Sequence, residues 1–454
     1  MSNFLSLYTA LSGLRAAQTG LQVTADNVAN VGTPGRTRQR VDLAVAASNY
    51  LPIGTVGGGV DITGVTRARD TFLDLQARES GASLGRISAR ADVLYRLESL
   101  FVGEGDGIAP GLHELWGAFE DLANDPSDAA ARTTVIGTLD NLVSRIRTAA
   151  SGIDMVARHT SAEIETTVGE VNSLLEQLGH LNSQIFAARV EGATPNALLD
   201  QRDLVVDQLS ALAGVRASED ERGMMRVSSG GVTLVDGTTV QEISLEADGI
   251  TITTPSGMTL NPGGSLGGLT GALVDDLPTH RERLDDFVRD LAAALNAAHA
   301  AGFTPSGAAG GDLLAFDALA PAATLATVVA DPDEIAAAAD PAAEPFDGGN
   351  AAALGALRFD EVGAGGTLTL DDQFRQFVVT LGSETSSALA ASDSQEALWS
   401  AVETSRTNTH GVSADEEMVM LMNYQRSYEA AARVMTVIDE TLEVLVNRLG
   451  VAGR

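Results

Sequence analysis

A short stretch near the middle of the chain holds the residues whose types and spacing come closest to acid–base chemistry. Asp200, Arg202 and Asp203 place two carboxylates and a guanidinium close together in sequence. A carboxylate pair acts as general acid and base only in a cleft that shifts the pKa of one of its members. Neither the cleft nor the shifted pKa is visible in the surrounding sequence, so we interpret this cluster as an ion-paired helix surface.

Other groups that ligate metals or attack substrates are scattered or missing. The chain has no cysteine, which excludes disulfides, thiolate metal sites and thiol nucleophiles. Three glycines at 57–59 lack the Lys and Ser/Thr of a phosphate-binding loop and predict a turn. No histidine pair has the spacing of metal ligands; the histidines are His113, His159, His180, His280, His299 and His410. We expect no catalytic, cofactor-binding or metal-binding residues, and no enzyme activity.

The composition predicts an acidic protein of several domains. The chain has 454 residues, 44% of them apolar, and a formal net charge of -32. This charge argues against a nucleic-acid partner, because phosphate binding requires a basic face. We find neither a basic and apolar leader nor a long apolar run, and therefore expect no cleaved signal and no membrane insertion. The absence of cysteine also fits passage unfolded into an oxidising space.

The first forty residues depart from the acidic average. They carry Arg15, Arg36, Arg38 and Arg40 against Asp26. A mildly basic arm on an acidic body steers self-association or docking on an acidic neighbour. Chance in a helix with few acidic residues explains the same pattern, and both interpretations stay open.

The elements that must position these side chains are mostly helices, and the most regular pattern opens the chain. Apolar residues there alternate at spacings of three and four, the period of a helix that packs along a narrow seam against other helices. The N-terminal seam comprises Phe4, Leu7, Leu11, Leu14, Gln18, Leu21, Ala25 and Val28. The free energy gained by burying one seam does not offset the conformational entropy lost in ordering so long a helix. This arm therefore requires partners.

A second seam closes the chain, between Ser413 and Leu449. It comprises Leu421, Tyr424, Tyr428, Ala431, Met435, Ile438, Leu442, Leu445 and Leu449. Ser413 with Glu416 predicts a capping box, and Gly450 ends the helix. Gln18 and the two tyrosines either fix the helix register or face the edge of their seams. The two terminal helices can lie side by side, leaving residual seam surface for other copies of the chain to cover.

Between the seams the pattern predicts the rest of a fold that is mainly α with a smaller β part. We expect paired terminal coiled-coil-like helices, an extended helical bundle and a small antiparallel β domain. Residues 308–357, rich in Ala, Pro, Asp and Gly, predict a loosely packed insert. The predicted segments are a terminal helix and turn (1–40), a helical bundle with an extended crossover (41–215), a β domain (216–270), a returning helix (271–302), a variable insert (303–375), return helices (376–412) and a terminal helix (413–454).

Two motifs lie at the ends of the chain, one over 27–35 with Arg38 and Gln39, the other over 411–417. They resemble the signatures shared by flagellar rod, hook and hook-associated proteins. The C-terminal motif covers 411–417 and continues at 424–428. Three internal stretches, 198–203, 295–303 and 331–337, are similar to the flagellar hook-associated protein 1 family. The N-terminal turn motif includes Asn27, Asn30, Thr33, Pro34, Gly35, Arg38 and Gln39. The chain departs from the family at Arg36, where the family usually has a tyrosine that either contacts a neighbouring subunit or lines the turn.

The resemblance implies a structural subunit of the bacterial flagellum that assembles at the distal end of the hook and forms the hook-filament junction. It implies self-association into an axial polymer, with the hook protein on one side and the next hook-associated protein on the other. It also implies an extracellular location, type III export with an uncleaved N-terminal signal, and an export chaperone bound to the C-terminal helix.

Two other functions remain open at this point. One is another axial protein of the hook or rod type, against which the length of the chain and the bundle between 72 and 212 argue. The other is an axial scaffold carrying a wall-hydrolase domain. Such an enzyme requires a carboxylate pair in a groove, and the acidic insert shows no glycosidase-like context.

Overall fold

Long helices and small antiparallel sheets make up the protein, which confirms the predicted fold class. The computed structural model describes residues 2–51, 54–101, 107–342 and 347–449; for 2–4, 49–51 and 445–449 it describes the backbone only. The predicted helix stop at Gly450 lies outside the described residues, as do the side chains of Phe4 and Leu445. The helices are α1 (Ser2–Ala29), α2 (Thr71–Glu98), α3 (Ile108–Asn124), α4 (Ala129–Val190), α5 (Asn196–Ala213), α6 (Gly264–Gly271), α7 (Leu277–Ala300), α8 (Pro321–Thr324), α9 (Gly349–Ala356), α10 (Leu370–His410) and α11 (Ala414–Leu449).

The chain divides into two compact units. The terminal unit contains Met1–Ser83, Val171–Glu242 and Glu396–Arg454, and the central unit contains Leu84–Glu170 and Ile243–Gln395. Helices α2, α4 and α10 contribute residues to both units. The seven segments expected from the sequence are distributed over these two units, and as domain boundaries they stay a prediction.

The strands form separate small sheets. They are β1 (Gln39–Val45), β2 (Asn49–Leu51), β3 (Gly54–Val56), β4 (Val60–Arg67), β5 (Arg216–Glu219), β6 (Met225–Ser229), β7 (Val232–Asp236), β8 (Thr239–Val240), β9 (Ser244–Leu245), β10 (Ile252–Thr253), β11 (Thr259–Leu260), β12 (Leu314–Ala315) and β13 (Ala326–Thr327). The expectation of one β domain over 216–270 is wrong in its pairing. Strands β5 to β8 form one sheet in the terminal unit and β9 to β11 another in the central unit, because alternating residues identify strands without identifying their partners.

In the terminal unit, the antiparallel ribbon of β1 and β4 runs beside α1. Its register places Val41 opposite Val65, Leu43 opposite Ile62 and Val45 opposite Val60, so one face carries three apolar cross-strand pairs. At one end the Val60 N–H donates to Ser12 Oγ at 3.2 Å. At the other end Asn27 bonds to Gln39, as described below. An isolated two-stranded ribbon is only marginally stable, and these contacts attach it to the helix.

In the central unit, the insert after α7 is packed rather than loose, which corrects the prediction for 308–357. Leu313, Leu325, Ile335 and Leu354 are fully buried. The sequence shows no sustained apolar period there because its helices and strands are short, and polar side chains hold the backbone around them. The structure therefore gives the insert a core that composition alone does not predict.

Two side chains of α7, Asn296 and His299, hold this backbone. Asn296 Oδ1 accepts the Leu313 N–H at 2.8 Å, and its Nδ2 donates to the Leu314 carbonyl at 2.8 Å. The buried His299 ring contacts Gly311 O through Nδ1 at 2.7 Å and accepts the Ala336 N–H at Nε2 at 2.8 Å. Burial lowers the pKa of His299, which keeps the ring neutral and Nε2 free to accept.

Candidate functional site

The two terminal helices pack against each other as an antiparallel pair, here called the terminal hairpin. A Cβ built on Gly20 would lie 2.4 Å from the ring of Tyr424, and one built on Gly13 would lie 4.0 Å from the Cβ of Ala431. Asn27 Nδ2 donates to Glu417 Oε2 at 3.0 Å. These three contacts fix one antiparallel register along the hairpin. The close approach at Gly20 leaves no room for a side chain there.

The face of α1 used in the hairpin is made of small residues. Its members recur at spacings of three and four and are buried, apart from a half-buried Gly13. They form the small-residue stripe: Ala10, Gly13, Ala17, Gly20, Thr24 and Asn27. Each lies one position before a residue of the seam predicted from the sequence. One residue rotates a helix by about 100°, so the predicted seam points away from the middle of the contact with α11.

The large residues of the N-terminal seam therefore stay partly open to solvent. They are half-buried and are here called the leucine flank: Leu7, Leu11, Leu14, Leu21 and Val28. Gln18 and Ala25 of the same seam are exposed. Gln18 is therefore not buried in the terminal hairpin of a single chain.

The C-terminal seam is used differently. Ile438 is buried and Tyr424 packs on Gly20, whereas Tyr428 is exposed at the edge. Leu421, Met435 and Leu442 are half-buried. The first half of α11 also exposes large apolar residues outside the seam, namely Met418, Val419, Met420 and Met422. In a single chain the terminal hairpin is thus formed, with apolar surface left uncovered on both helices.

The register of the hairpin predicts a disulfide that the natural chain does not have. The distance of 4.0 Å between the Cβ positions of Gly13 and Ala431 falls in the range of disulfide-bonded cysteines. We expect Gly13→Cys with Ala431→Cys to form an intramolecular disulfide under mild oxidation in dilute solution. Because the chain has no other cysteine, a single change in gel mobility that thiol reduction reverses measures the reaction.

A matched pair controls for mobility of the ends. Gln18→Cys with Ala431→Cys places the first thiol on an exposed face of the same helix, and we expect little crosslinking. Equal yields from the two pairs would contradict the register.

The turn motif joins the terminal hairpin to the ribbon. Asn27 Oδ1 accepts the Gln39 N–H at 3.0 Å while its Nδ2 donates to the Gln39 carbonyl at 2.8 Å. Arg38 bonds to Glu416 at 2.8 Å and to Glu417 at 2.7 Å. The two signature motifs therefore meet in space, and Glu417, buried beside Asn27, connects them.

The remaining motif residues shape the turn itself. The Arg36 N–H donates to the Thr33 carbonyl at 3.2 Å, which places Pro34 and Gly35 at the two central positions, as expected from the sequence. Gly35 has a φ of +74 and lies against Leu204 of α5, so a side chain here would be both strained and crowded. Asn30 Nδ2 donates to the Asp26 carbonyl at 2.8 Å and closes the end of α1.

Beneath the turn lies a buried arginine–aspartate cluster built on successive turns of α5. Asp200 accepts from the Thr37 hydroxyl at 2.6 Å and from Arg67 at 2.8 Å. Asp203 accepts from Arg67 at 2.9 Å and also pairs with Arg69. The cluster is completed by Arg36, Arg78, Asp207 and Arg406. The interpretation of this region as an ion-paired helix surface is right about the pairing and wrong about the exposure.

Arg202 leaves this cluster and points to the other side of α5. It is buried and donates to the Gly223 carbonyl at 2.8 Å and to Glu219 at 3.0 Å. Burial lowers the pKa of Arg202 and of Arg69, and carboxylate partners oppose that shift for both. Because the cluster's aspartates already accept hydrogen bonds from guanidinium groups, the arrangement holds elements together and offers no free general base.

Arg36, which stands where the family usually has a tyrosine, makes its contacts within the same chain. Arg36 pairs with Asp26, and its Nη1 lies 3.6 Å from Asp200 Oδ2, with only 13% of its side chain exposed. The residue thus ties the end of α1 to α5. Its contacts are those of a group lining the turn.

Neither a membrane-spanning helix nor a metal site is present in the described part of the chain. No helix there has both the length and the hydropathy needed to cross a membrane. Its His, Asp and Glu side chains form no group of three that could hold a metal ion.

Three family models match successive parts of the sequence. The chain matches "Flagellar hook-associated protein FlgK helical domain" over residues 94–314. Its ends match models of rod proteins, "Flagella basal body rod protein" over 7–35 and "Flagellar basal body rod FlgEFG protein C-terminal" over 405–449. These end matches cover most of the terminal hairpin, the N-terminal motif as far as Gly35 and the whole C-terminal motif.

Known proteins resemble the whole chain. Flagellar hook-associated protein 1 of Bacillus subtilis is 31% identical over 507 aligned residues, covering 100% of both chains. That of Escherichia coli is 24% identical and covers 96% of this chain and 98% of its own. The fold is similar to the flagellar hook junction protein FlgK from Burkholderia pseudomallei, with a TM-score of 0.66, 18% identity, and coverage of 74% of this chain and 100% of that one. The chain therefore belongs to the flagellar hook-associated protein 1 family.

Proposed function

We propose that this structural protein of the flagellum assembles at the distal end of the hook and forms the junction on which the filament is built. The names of its relatives, which describe hook-associated and hook junction proteins, support this role. The observation that carries the proposal is the one-residue offset along α1 between the small-residue stripe and the leucine flank. The small-residue stripe is used inside the chain, and the leucine flank remains available to other subunits.

The leucine flank has the properties of a surface that association completes. Leu7, Leu11, Leu14, Leu21 and Val28 are half-buried along one helix, and covering apolar surface contributes about 25 cal/mol per Å2. The neighbouring ribbon also exposes apolar side chains, with Val45 84% and Leu43 46% exposed. Exposed apolar side chains on adjacent elements are typical of interfaces when they cluster. We assign the flank and the exposed part of the C-terminal seam to contacts between subunits.

The proposed assembly has specific neighbours. Copies of the chain associate into the axial polymer, the hook protein lies on one side, and the next hook-associated protein lies on the other. The chain reaches this extracellular position through the flagellar type III apparatus without a cleaved signal. Before export, a chaperone covers the C-terminal helix, where Met418, Met420 and Met422 supply an adaptable apolar surface.

We also propose that the chain has no catalytic role. The two carboxylates of the candidate acid–base cluster, Asp200 and Asp203, are paired with Arg67, and Asp203 also with Arg69. Turnover of cell-wall material by the purified chain, lost on replacement of a carboxylate in the insert, would revive the hydrolase alternative.

A binding experiment on isolated hooks tests the proposed position. Gold-labelled purified chain is added to hooks from a strain that lacks the chain and viewed by electron microscopy. We expect label at the distal hook tip and not along the side of the hook. Label along the hook or at its base would favour the hook or rod alternative and contradict the proposal.

A further inference from the structure

His410, the last residue of α10, joins three separate segments at the root of the terminal hairpin. Its Nε2 accepts the Asp70 N–H at 2.6 Å, next to the start of α2. Its backbone carbonyl accepts the Arg38 N–H at 2.8 Å, in the segment that follows the turn motif. Gly411, Val412 and Ser413 then lead directly into α11. One residue thus holds α2 and the N-terminal segment at the point where α11 begins.

A second acceptor lies within reach of the same ring and is unused. The Nδ1 of His410 is 3.7 Å from Asp74 Oδ1, and both side chains are nearly fully buried. No hydrogen bond from the described residues reaches Asp74 Oδ1, whereas Asp74 Oδ2 binds Arg69 Nε at 2.9 Å. A buried carboxylate oxygen without a donor is costly. A cleft of about 260 Å3 borders His410 and Asp74.

We propose that His410 is an acid-sensitive latch on the terminal hairpin. In the neutral ring Nε2 is an acceptor and holds the Asp70 N–H. Protonation places a hydrogen on Nε2, so that this nitrogen no longer accepts, and the imidazolium turns its Nδ1–H toward the free oxygen of Asp74. The Asp70 contact breaks, the His410 backbone moves with the ring, and the Arg38 bond at the root of the hairpin loosens.

The charged surroundings determine the direction of the switch. Burial lowers the pKa of His410; Arg69 and Arg406 lower it further, and Asp74 and Asp70 raise it. The other charged groups around the cleft are Arg36, Asp203, Asp207 and Glu403, with Arg38 at the backbone contact. Because the folded state favours the neutral ring, the unfolded state binds more protons, and stability falls as pH drops below the unfolded histidine value of about 6.5. The latch is therefore closed at neutral pH and opens in acid.

Hydrogen exchange of the full-length chain tests the latch. Protection factors are compared between about pH 7.5 and about pH 5, after correction for intrinsic exchange. We expect protection of the Asp70 and Arg38 amides to fall about tenfold or more at the lower pH. The amide of Leu142, in the central unit, reports any general loss of stability. Unchanged protection at Asp70 in the wild-type chain would overturn the proposal.

Three variants separate the latch from ordinary acid destabilisation. His410→Gln keeps an acceptor without a titrating group and is expected to abolish the pH effect at Asp70. Asp74→Asn removes the charge that stabilises the imidazolium and is expected to shift opening to lower pH. His159→Gln, at a position with 68% side-chain exposure, is expected to behave as wild type. A loss of Asp70 protection in His410→Gln equal to that in the wild-type chain would contradict the latch. Should His410→Gln fail to fold, an Asp74→Asn transition at the wild-type pH would contradict it.

Discussion

Replacing Leu14 with glutamate is expected to detach filaments from hooks while the chain itself remains folded. Leu14 lies on the leucine flank, half-buried in the single chain, so a carboxylate there keeps access to water before assembly. In the proposed junction a neighbouring subunit covers it, and burial of an unpaired charge costs several kcal/mol. A cost of about 3 kcal/mol lowers the association constant of each subunit contact about 100-fold. Motility on soft agar and counts of hooks with attached filaments measure the effect.

Gln22→Glu is the matched control for this variant. It adds the same carboxylate to the same helix, at an exposed position that belongs neither to the leucine flank nor to the small-residue stripe. We expect near-normal motility from Gln22→Glu and unchanged melting of both purified variants. Normal filament attachment in Leu14→Glu would remove the main support for the leucine flank as an interface.

The second large effect is expected at Asp203. Asparagine in its place leaves Arg67, Arg69 and Arg78 with one fewer buried carboxylate. Loss of one partner from a buried ion pair typically costs about 3–5 kcal/mol. We expect the free energy of unfolding of the terminal unit to fall by about 3 kcal/mol. Hydrogen exchange of α5 amides measures this change, with central-unit amides as the internal reference.

Asp236→Asn provides the comparison for Asp203. Asp236 pairs with Arg226 at 2.9 Å, and both side chains are more than half exposed. Surface pairs of this kind contribute about 0–1 kcal/mol, so α5 exchange is expected to be nearly unchanged. Similar losses in the two variants would show that the buried cluster has no special role in stability.

Local patterns predict much of this fold. The long helices follow apolar residues repeated at helical spacing, and the turn at Pro34 and Gly35 follows from the backbone preferences of these two residues. The ends of the chain are also predicted to pack together. These features depend on residues close in sequence, so the sequence alone predicts them.

The face used by α1 is not predictable in the same way. Two stripes of equal period run along this helix, one of leucines and one of small residues, and a pattern search weights the large apolar side chains. Close approach of two backbones selects the small stripe instead, as the contact of Gly20 with Tyr424 shows. The partners and the burial of the arginine–aspartate cluster are not predictable for another reason. Its partners, such as Arg67 and Asp200, lie more than a hundred positions apart in sequence.

The central claim is that subunit contacts cover the leucine flank, and carbene footprinting measures this coverage directly. Labelling of Leu11 and Leu14 is compared between dilute free chain and isolated hook-filament junctions, with the small-residue stripe as the internal reference. We predict strong labelling of the flank in the free chain, its loss in the junction, and low labelling of the stripe in both. Equal labelling of Leu11 and Leu14 in the free chain and the junction would contradict the account.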